Sequence, residues 1–457
     1  MSAAPDSLWF ERALLPDGWA DRVRLTVREG RIATVSEGVD PFPGETRGAV
    51  GLAGLSNLHS HAFQRGMAGL TEYRGAGRDD FWSWRELMYR FLDRMTPEDV
   101  EAISALAFAE MLESGFTRVG EFHYLHHDPQ GRPYAALGEM TQRIAAAAGA
   151  SGIGLTLLPV YYRQGGFGGA PAAPGQRRFL NDPDRFARLV EASRAAIAPL
   201  PDAGLGLAPH SLRAVSPRDL AEILPLAGAG AVHIHAAEQV KEVEDCLAWS
   251  GRRPVEWLLD EVGLDARWCL IHATHLTAQE TRRLAASGAA AGLCPITEAN
   301  LGDGVFPARA FLDHGGVMGV GTDSNIAIDA AQELRQLEYA QRLAWKARNV
   351  LAEPQGASTG RRLFEAALHG GAQALACGPA GLAPGRAADI VCLHEEESPP
   401  RGARPDAVLD HWLFAAGRTA VDRVWRRGSL VVEDGRHRRR TELSEAFRAS
   451  VTRLLAS

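Results

Sequence analysis

The 457-residue sequence predicts a (β/α)8 TIM barrel joined to a small β-sandwich domain that both ends of the chain build together. In the centre, eight short apolar runs alternate with helical stretches, a pattern typical of a parallel sheet covered on both faces. Both ends instead alternate apolar and polar residues, which indicates half-exposed strands. An open doubly wound sheet is the alternative, but no G-x-G-x-x-G motif follows a first strand.

The first fifty residues contain a predicted β-hairpin. Apolar and polar residues alternate over 21–35, with Glu29 and Gly30 at the turn. The same alternation returns at 388–393 and 421–436. We therefore assign 1–50 plus 380–440 to the discontinuous β-sandwich domain, 51–379 to the barrel and 441–457 to a C-terminal helix.

The barrel strands are predicted in order along the centre of the chain, with helices such as 97–114 and 183–198 between them. Near-continuous apolar runs favour strands that are buried on both faces. The predicted ranges are 50–58, 117–122, 152–161, 204–209, 231–236, 268–273, 289–295 and 316–322.

Composition and charge exclude several classes of function. The net charge of −7 and the pI near 6.1 disfavour binding to nucleic acids or to an anionic membrane surface. No basic segment followed by an apolar one marks a secretory signal, and five cysteines without a C-x-x-C pair are typical of reduced thiols. We therefore expect a cytoplasmic protein with no nucleic-acid and no membrane partner.

Histidines and carboxylates follow nearly every predicted barrel strand, at the face where such barrels carry their active sites. The first strand ends in His59 and His61, which share one face because strand side chains alternate, so both imidazoles can bind one metal ion. The later strands end in Glu121, His123 and Tyr124; His210 and Arg213; His235 and Glu238; His272 and His275; Glu298 and Asn300; and Asp323 and Asn325. A barrel that served only as a scaffold has no reason to place such residues there.

This array resembles the amidohydrolase superfamily. The matching parts are His59 and His61, His235, His272, Asp323 and the segment Gly381-Leu-Ala-Pro-Gly-Arg-Ala-Ala-Asp-Ile-Val. The resemblance implies one Zn²⁺ per chain, and a site of three histidines and one aspartate also suits Fe²⁺. The implied ligands are His59, His61, His235 and Asp323.

The resemblance is closer to one branch, the formimidoylglutamate deiminase family. The segments that match it are Asn-Leu-His-Ser-His-Ala-Phe-Gln-Arg-Gly at 57–66, Phe-Trp-Ser-Trp-Arg at 81–85, Gly-Glu-Phe-His-Tyr at 120–124, Pro-His-Ser-Leu-Arg at 209–213 and Leu-Cys-Pro-Ile-Thr-Glu-Ala-Asn-Leu-Gly-Asp-Gly at 293–304. The H-x-x-E spacing from His235 to Glu238 points to mononuclear deaminases, and both lysines lie in helical-looking segments rather than at strand ends. The implied reaction hydrolyses N-formimino-L-glutamate to N-formyl-L-glutamate and ammonia.

The same resemblance implies roles around the metal. Glu238 would carry a proton from the attacking water to the departing nitrogen, His272 would hydrogen-bond the attacking hydroxide, and Asp323 would assist as a base. A dicarboxylate substrate needs cationic partners, and the planar guanidinium of arginine can bind both oxygens of a carboxylate. The implied substrate-binding residues are Gln64, Arg85, Tyr124, His210 and Arg213.

Less specific interpretations stay open for some of these residues. Glu238 could be a charge at a helix N-terminus, and His272 could be a hydrogen-bonded barrel histidine. His233, one layer deeper than His235, is expected to be a core histidine.

Two other functions remain as alternatives. Another deaminase of the superfamily would act on guanine, S-adenosylhomocysteine or a triazine, but these aromatic substrates need stacking surfaces rather than a pair of arginines. A non-catalytic barrel used for binding or assembly should have lost ligands, and none is missing. From the habit of the family we also expect a homodimer.

Overall fold

The computed structural model describes residues 6–74, 80–353, 356–396 and 403–456. Parts of the predicted domains therefore lie outside the described residues: 1–5 and 397–402 of the sandwich, 75–79 and 354–355 of the barrel, and 457 of the final helix. The described strands are β1 Asp6–Leu15, β2 Gly18–Arg28, β3 Arg31–Ser36, β4 Thr46–Ala53, β5 Leu55–Ser60, β6 Phe116–His123, β7 Gly154–Tyr161, β8 Gly204–Leu205, β9 Ala208–Pro209, β10 Val232–Ala236, β11 Trp268–His272, β12 Ala290–Leu293, β13 Val317–Val320, β14 Ile390–Leu393, β15 Val421–Arg426, β16 Ser429–Glu433 and β17 Arg436–His437.

Helices follow most of the central strands, and many begin with a side-chain cap. Thr96 accepts a hydrogen bond from the backbone of Asp99, with Pro97 at the first helical position, as expected for a helix start. The described α-helices are α1 Phe81–Leu92, α2 Pro97–Glu113, α3 Glu139–Ser151, α4 Pro183–Ile197, α5 Pro217–Ile223, α6 Val240–Ser250, α7 Pro254–Trp257, α8 Ala278–Ser287, α9 Pro295–Leu301, α10 Ala308–Asp313, α11 Ala330–Trp345, α12 Thr359–Ala374, α13 Ala407–His411 and α14 Arg440–Ala456. Among them, none is both long and apolar enough to cross a membrane.

Parallel strands form a ring in the centre of the molecule. Strands β5, β6, β7 and β8 pair in sequence, with β9 beside β7, and strands β10 to β13 also pair in sequence. Parallel bridges at Leu207–Val232 and Ser211–His235 join the two groups on one side, and the bridge Ser60–Asp323 joins them on the other. This closed parallel arrangement agrees with the predicted (β/α)8 barrel.

The prediction for the first barrel strand was wrong at its start. Residues 50–53 belong to β4, which pairs with β1 and β14 in the terminal sheet, and only β5 belongs to the barrel. Gly54 separates them: its N–H donates to Asp389 O at 3.0 Å, and a Cβ there would overlap Thr117. One continuous apolar run thus contributes strands to two different sheets. The sequence could not predict this division, because apolar character does not reveal which strand is the pairing partner.

The two ends of the chain form one mixed sheet, in the order β17-β16-β15-β14-β4-β1-β2-β3 among the described strands. The predicted hairpin is confirmed, with Glu29 and Gly30 at positive φ angles of 54° and 77° between β2 and β3. Three strands separate β15 from β2 in this order, yet the Arg427 guanidinium beyond β15 donates to Glu29 O, just after β2, at 3.0 Å. The sheet must therefore be strongly curled. The predicted division into a two-layer sandwich stays a prediction.

The floor of the barrel is closed by apolar side chains. Leu58, Cys269, Ile271 and Leu375 are buried together inside the ring of strands. His233 is also fully buried, and its Nε2 donates to Ala374 O at 2.7 Å at the end of α12, so the prediction of a core histidine is confirmed. Polar side chains are left to gather at the opposite end, where the strands finish.

Candidate metal centre and active site

The four predicted metal ligands face one point at the carboxyl ends of β5, β10 and β13. The Nε2 atoms of His59 and His61 each lie 3.2 Å from Oδ1 of Asp323. The Nε2 atoms of His59 and His235 are also 3.2 Å apart. All four side chains are buried, and one ligand atom from each lies within 4.8 Å of the others. The structure therefore brings together the whole predicted ligand set.

Backbone carbonyls decide which ring nitrogen of these histidines carries the proton. His61 Nδ1 lies 2.9 Å from Phe122 O, and His235 Nδ1 lies 3.0 Å from His210 O. A carbonyl only accepts, so each Nδ1 must be the donor and each Nε2 keeps a free lone pair. Lone pairs that face one another beside a carboxylate fit a bound cation, and the donor set of three imidazoles and one carboxylate fits zinc.

Burial keeps the imidazoles of His59 and His235 neutral. Burial lowers the pKa of His59 to about 3, and it lowers the pKa of His235 well below its usual value. Burial alone would raise the pKa of Asp323, but the adjacent side chains of His59 and His61 outweigh it and hold that pKa well below its usual range. Neutral imidazoles and an ionised carboxylate are the protonation states that metal binding requires.

A buried polar network fixes the loop that carries Asp323. Asn57 Nδ2 donates to Thr322 Oγ1 at 2.7 Å, and Thr322 Oγ1 donates to Asn325 Oδ1 at 2.6 Å. Asn325 Nδ2 in turn donates to His61 O at 3.2 Å and to Asp323 O at 3.0 Å. The left-handed backbone of Asp323, at φ 43°, is therefore held from both sides.

Arg65 ties the same loop to the segment that follows the first histidine pair. It lies in the 3-10 turn Ala62–Met67, and its Nη1 donates to Asn325 O and Ile326 O at 3.0 Å each. Its Nε donates to Glu110 Oε2 of α2 at 2.7 Å, and Arg440 of α14 donates to the other oxygen of Glu110 at 2.8 Å. A single guanidinium thus links the two loops that carry three of the four ligands.

Glu238 and His272 lie beside the ligand cluster. His272 Nε2 is 3.8 Å from Glu238 Oε1 and 4.0 Å from Asp323 Oδ2, and its Nδ1 is 3.2 Å from Glu298 Oε1. Burial alone would lower the pKa of His272, but Glu238, Glu298 and Asp323 outweigh it and raise that pKa to about 10. Burial raises the pKa of Glu238. A cationic imidazole and a carboxyl that can hold a proton therefore stand side by side.

Two further carboxylates position this pair. Glu242 accepts the N–H groups of Ala237 and Glu238 at 3.3 Å and 3.1 Å, which fixes the turn after β10. Glu298 accepts the N–H of Cys294 at 2.8 Å as well as the bond from His272, which fixes the ring of His272. His272, Cys294 and Glu298 form a second group of candidate ligand atoms, but these hydrogen bonds already use one oxygen of Glu298.

One cavity opens beside the cluster and contains every predicted substrate residue. Gln64 Nε2 donates to Tyr124 Oη at 2.9 Å, and burial raises the pKa of Tyr124 well above its usual value, so its phenol stays protonated. Gln64 Oε1 is buried and has no hydrogen-bond partner among the described residues. The predicted residues that line the cavity are His61, Gln64, Arg85, Tyr124, His210, Arg213, His235, Glu238, His272 and Asp323.

Two guanidinium groups that line this cavity, those of Arg85 and Arg213, lie near one aromatic ring outside its lining, that of Trp82. The Cζ of Arg85 lies 4.6 Å from the ring centroid of Trp82, and the Cζ of Arg213 lies 6.0 Å from it. The Nε atoms of both arginines are buried without a hydrogen-bond partner among the described residues. Arg213 approaches Glu238 and Glu242 only at 3.8 Å and 3.9 Å. Both arginines therefore keep donors that an anionic ligand could accept.

Sequence reasoning missed the apolar part of this cavity and most of the network behind it. Aromatic and sulfur side chains cover the walls: Phe81, Trp84, Met88, Tyr89, Tyr162 and Phe179. Their positions in helix α1 and in the loop after β7 carry no spacing signal that separates them from core residues. Asn57 could have been suspected, because it is a polar residue inside an apolar strand, whereas Asn325 was singled out at a strand end without this role. His275 and Asn300, which also follow predicted strands, do not line the cavity.

Comparison with known proteins gives consistent matches along nearly the whole chain. A model of the amidohydrolase family matches residues 50–431, and a model described as the N-terminal domain of formimidoylglutamate deiminase HutF matches residues 8–49. A formimidoylglutamate deiminase from Pseudomonas aeruginosa is 50% identical over 448 residues, which is 96% of this chain and 98% of that protein.

Solved structures agree with these matches. A crystal structure of an amidohydrolase from Brucella melitensis has a TM-score of 0.95 and 56% identity, covering 98% of this chain and 99% of that chain. An adenosine deaminase from Xanthomonas campestris, solved with bound zinc, has a TM-score of 0.80 at 22% identity, covering 99% of this chain and 98% of that chain. The second likeness concerns the fold alone.

Proposed function

This chain belongs to the amidohydrolase family, and we propose that it converts N-formimino-L-glutamate and water into N-formyl-L-glutamate and ammonia, in histidine degradation. The observation that carries the proposal is a single cavity in which a buried cluster of three histidines and an aspartate meets two arginines with free donors. The match to a formimidoylglutamate deiminase over nearly the whole chain supports the same reaction.

A divalent ion, zinc by preference and Fe²⁺ as the alternative, would be held by His59, His61, His235 and Asp323. The short distances between their Nε2 and Oδ1 atoms and the protons on Nδ1 support this assignment. When bound, such an ion supplies water that is activated at neutral pH. The neighbouring side chains would then carry out the proton transfers.

Glu238 would move the proton that the reaction needs. Water adds its oxygen to the formimino carbon, and one water proton passes through Glu238 to the imine nitrogen. The second proton then passes from the new hydroxyl group to the same nitrogen, the bond from carbon to that nitrogen breaks, ammonia leaves and the formyl C=O remains. The raised pKa of Glu238 supports the role, since its carboxyl can hold a proton between two steps. His272, as a cation, would hydrogen-bond the oxygen on which negative charge develops.

The carboxylates of the substrate would bind to Arg85 and Arg213. Both line the cavity, both have buried donors without partners, and their guanidinium groups lie near the same Trp82 ring. Gln64, Tyr124 and His210 would hydrogen-bond the rest of the chain of the substrate. Burial, followed by the charge of Arg213, lowers the pKa of His210 well below its usual value, so its imidazole is neutral and does not add a third charge.

The proposal is tested by measuring ammonia release from several substrates with the metal-loaded protein. N-formimino-L-glutamate is expected to turn over, whereas guanine and S-adenosylhomocysteine, which lack a glutamate moiety, are not. Formamidine, which has the reacting group without the carboxylates, separates chemistry from recognition and should react at a far lower kcat/KM. Turnover of guanine in preference to the formimino acid would contradict the assignment.

The metal is tested separately. Removal with a chelator should abolish ammonia release, and zinc or Fe²⁺ added in turn should restore it to different extents. Metal content measured on the purified protein should approach one ion per chain. Full activity in metal-free protein would contradict the assignment of the histidine cluster.

Three structural expectations accompany this function. The curl that brings Arg427 to Glu29 supports a terminal sheet folded into two layers. We also expect a cytoplasmic location. A homodimer is supported by exposed apolar side chains at the end of α11, where Leu343 is 80% and Trp345 is 62% exposed. Light scattering of the purified protein tests the dimer, and a mass of one chain would contradict it.

A further inference from the structure

A second cavity, of about 420 Å³, lies at the end of the barrel opposite the candidate active site. Its walls come from the starts of the barrel strands, at Gly54, Thr117 and Gly204, and from the connection between α12 and β14. The terminal sheet closes the other side. The cavity is therefore separated from the reaction centre by the apolar floor of the barrel.

The charged side chains of this cavity are unbalanced. Arg31, Arg118, Arg386 and Arg427 line it, against Asp202 and Asp389. Both carboxylates are already engaged. Asp202 binds Arg118 at 2.7 Å and Arg426 at 2.6 Å, and Asp389 binds Arg426 at 2.7 Å. Arg426 is only 5% exposed, so this ion-pair network forms the closed inner wall.

The guanidinium groups of the other three arginines have no carboxylate partner among the described residues, although the backbone N–H of Arg427 donates to Asp389 Oδ1 at 2.9 Å. Arg31 Nη1 donates to Gly385 O at 2.8 Å, Arg427 Nη2 donates to Glu29 O at 3.0 Å, and Arg386 Nη1 donates to Ala380 O. Each uses main-chain carbonyls, which orient the guanidinium group without neutralising its charge. Three positive charges from three separate chain segments therefore meet at one cavity of a protein whose net charge is −7.

Glycines make room for two of these side chains. A Cβ on Gly30 would lie 2.7 Å from Cζ of Arg427, and a Cβ on Gly381 would overlap Nη1 of Arg386. The guanidinium groups are therefore packed against the backbone rather than extended into solvent. Because these side chains are already held in place, each loses less conformational entropy when it binds an anion.

We propose that this cavity is a binding site for a small dianion whose charge lies on carboxylate or phosphate oxygens. The guanidinium group binds either oxyanion through paired N–H donors, and the backbone carbonyls hold these donors in place. The ion-paired inner wall limits the depth of the site and favours a compact ligand. The site is distinct from the active-site cavity. The two cavities share no lining residue, and the apolar floor of the barrel lies between them.

The experiment compares thermal denaturation of the full chain in phosphate, in succinate and in chloride at matched ionic strength. A ligand that binds only the folded state raises the denaturation midpoint, so phosphate or succinate should raise it by about 2 °C relative to chloride. The two arms separate a phosphate ligand from a dicarboxylate ligand. No rise with either anion would overturn the proposal.

Variants separate this cavity from the active site. Arg427→Gln and Arg31→Gln should remove the rise and leave turnover of N-formimino-L-glutamate unchanged. Arg404→Gln is the matched control, because Arg404 also donates to a main-chain carbonyl, at Gly356, but lies elsewhere. Arg213→Gln, in the active-site cavity, should keep the rise.

A rise that persists in Arg427→Gln, or that disappears in Arg213→Gln, would overturn the assignment. Crystals of the full chain grown in phosphate give a second measurement that does not depend on how the variants fold. The anion should lie within hydrogen-bond distance of Arg31, Arg386 or Arg427. A cavity that contains only water under these conditions would also overturn the proposal.

Discussion

Phe122 O and His210 O set the chemistry of the proposed metal ligands, since each carbonyl binds Nδ1 of one imidazole and leaves its Nε2 facing the other ligands, Asp323 for His61 and His59 for His235. The sequence predicted the four ligands from their places at strand ends. It could not predict the two carbonyls, because any residue supplies a carbonyl and only the register between strands places it beside a ring. Residue identity is thus readable from the sequence, whereas ring orientation needs the structure.

Glu238→Gln tests the proton carrier. The amide keeps the size of the side chain but cannot accept and return a proton, so kcat should fall by about 10²- to 10⁴-fold. Metal content should stay unchanged, since Glu238 is not among the proposed ligands. A kcat within about threefold of the parent, measured by ammonia release at saturating substrate, would contradict the role.

Arg85→Gln tests recognition of the substrate carboxylates. Loss of one charged hydrogen bond should raise KM by about 10- to 100-fold, with a much smaller effect on kcat. Arg90→Gln on the exposed side of the same helix is the matched control and should change neither constant. Equal effects of the two substitutions would show that Arg85 acts only through the stability of α1.

At the scale of elements, the two loops after β5 and β13 depend on Arg65. Lysine at this position keeps the charge but cannot hydrogen-bond Glu110, Asn325 and Ile326 at the same time, since it lacks the planar set of donors. Arg65→Lys should therefore release metal to a chelator about 10- to 100-fold faster, as expected for groups that orient metal ligands.

The matched control for Arg65 is Arg143→Lys, which alters an ion-pair cluster with Glu98, Glu101 and Glu139 near the surface. It should leave the metal release rate unchanged. Metal release is followed with a chromophoric chelator, alongside the denaturation midpoint. If Arg65→Lys lowers the midpoint without changing the release rate, Arg65 serves the fold and not the metal site.

Strand positions were largely readable from the sequence. Predicted 117–122 and 268–273 correspond to β6 Phe116–His123 and β11 Trp268–His272, because buried parallel strands are continuous apolar runs between turns. Predicted 204–209 is divided into β8 and β9, which pair with different parts of β7. Where one apolar run divides into two strands is determined by pairing with distant segments, and that pairing cannot be predicted from local apolar character.

For the whole molecule, buried neutral histidines determine how stability responds to acid. Burial lowers the pKa of His123 to about 3 and that of His126 well below its usual value. Since the unfolded chain binds these protons at a pKa of about 6.5, the stabilisation is complete above that pH and is lost as the pH falls toward the folded-state pKa. Each residue should contribute a loss of about 1.4 kcal/mol per pH unit over that range.

His123→Leu provides the comparison. Neither ring nitrogen of His123 has a hydrogen-bond partner among the described residues, so an apolar side chain of similar size should be tolerated at neutral pH. The free energy of unfolding, measured by denaturant titration between pH 6 and 4.5, should fall less steeply in this variant by a slope that approaches about 1.4 kcal/mol per pH unit. Identical slopes for parent and variant would exclude His123 as a contributor.

The division of one apolar run at Gly54 has a consequence for modularity. Strand β4 of the terminal sheet and strand β5, which leads into His59, are separated by a single residue that hydrogen-bonds across to Asp389. Replacement or deletion of the terminal sheet would therefore change the position of the strand that carries His59, the first proposed metal ligand. The two parts can be exchanged between relatives only as a matched pair, so a chimaera with a junction near residue 50 should need the partner segment after residue 380 from the same parent.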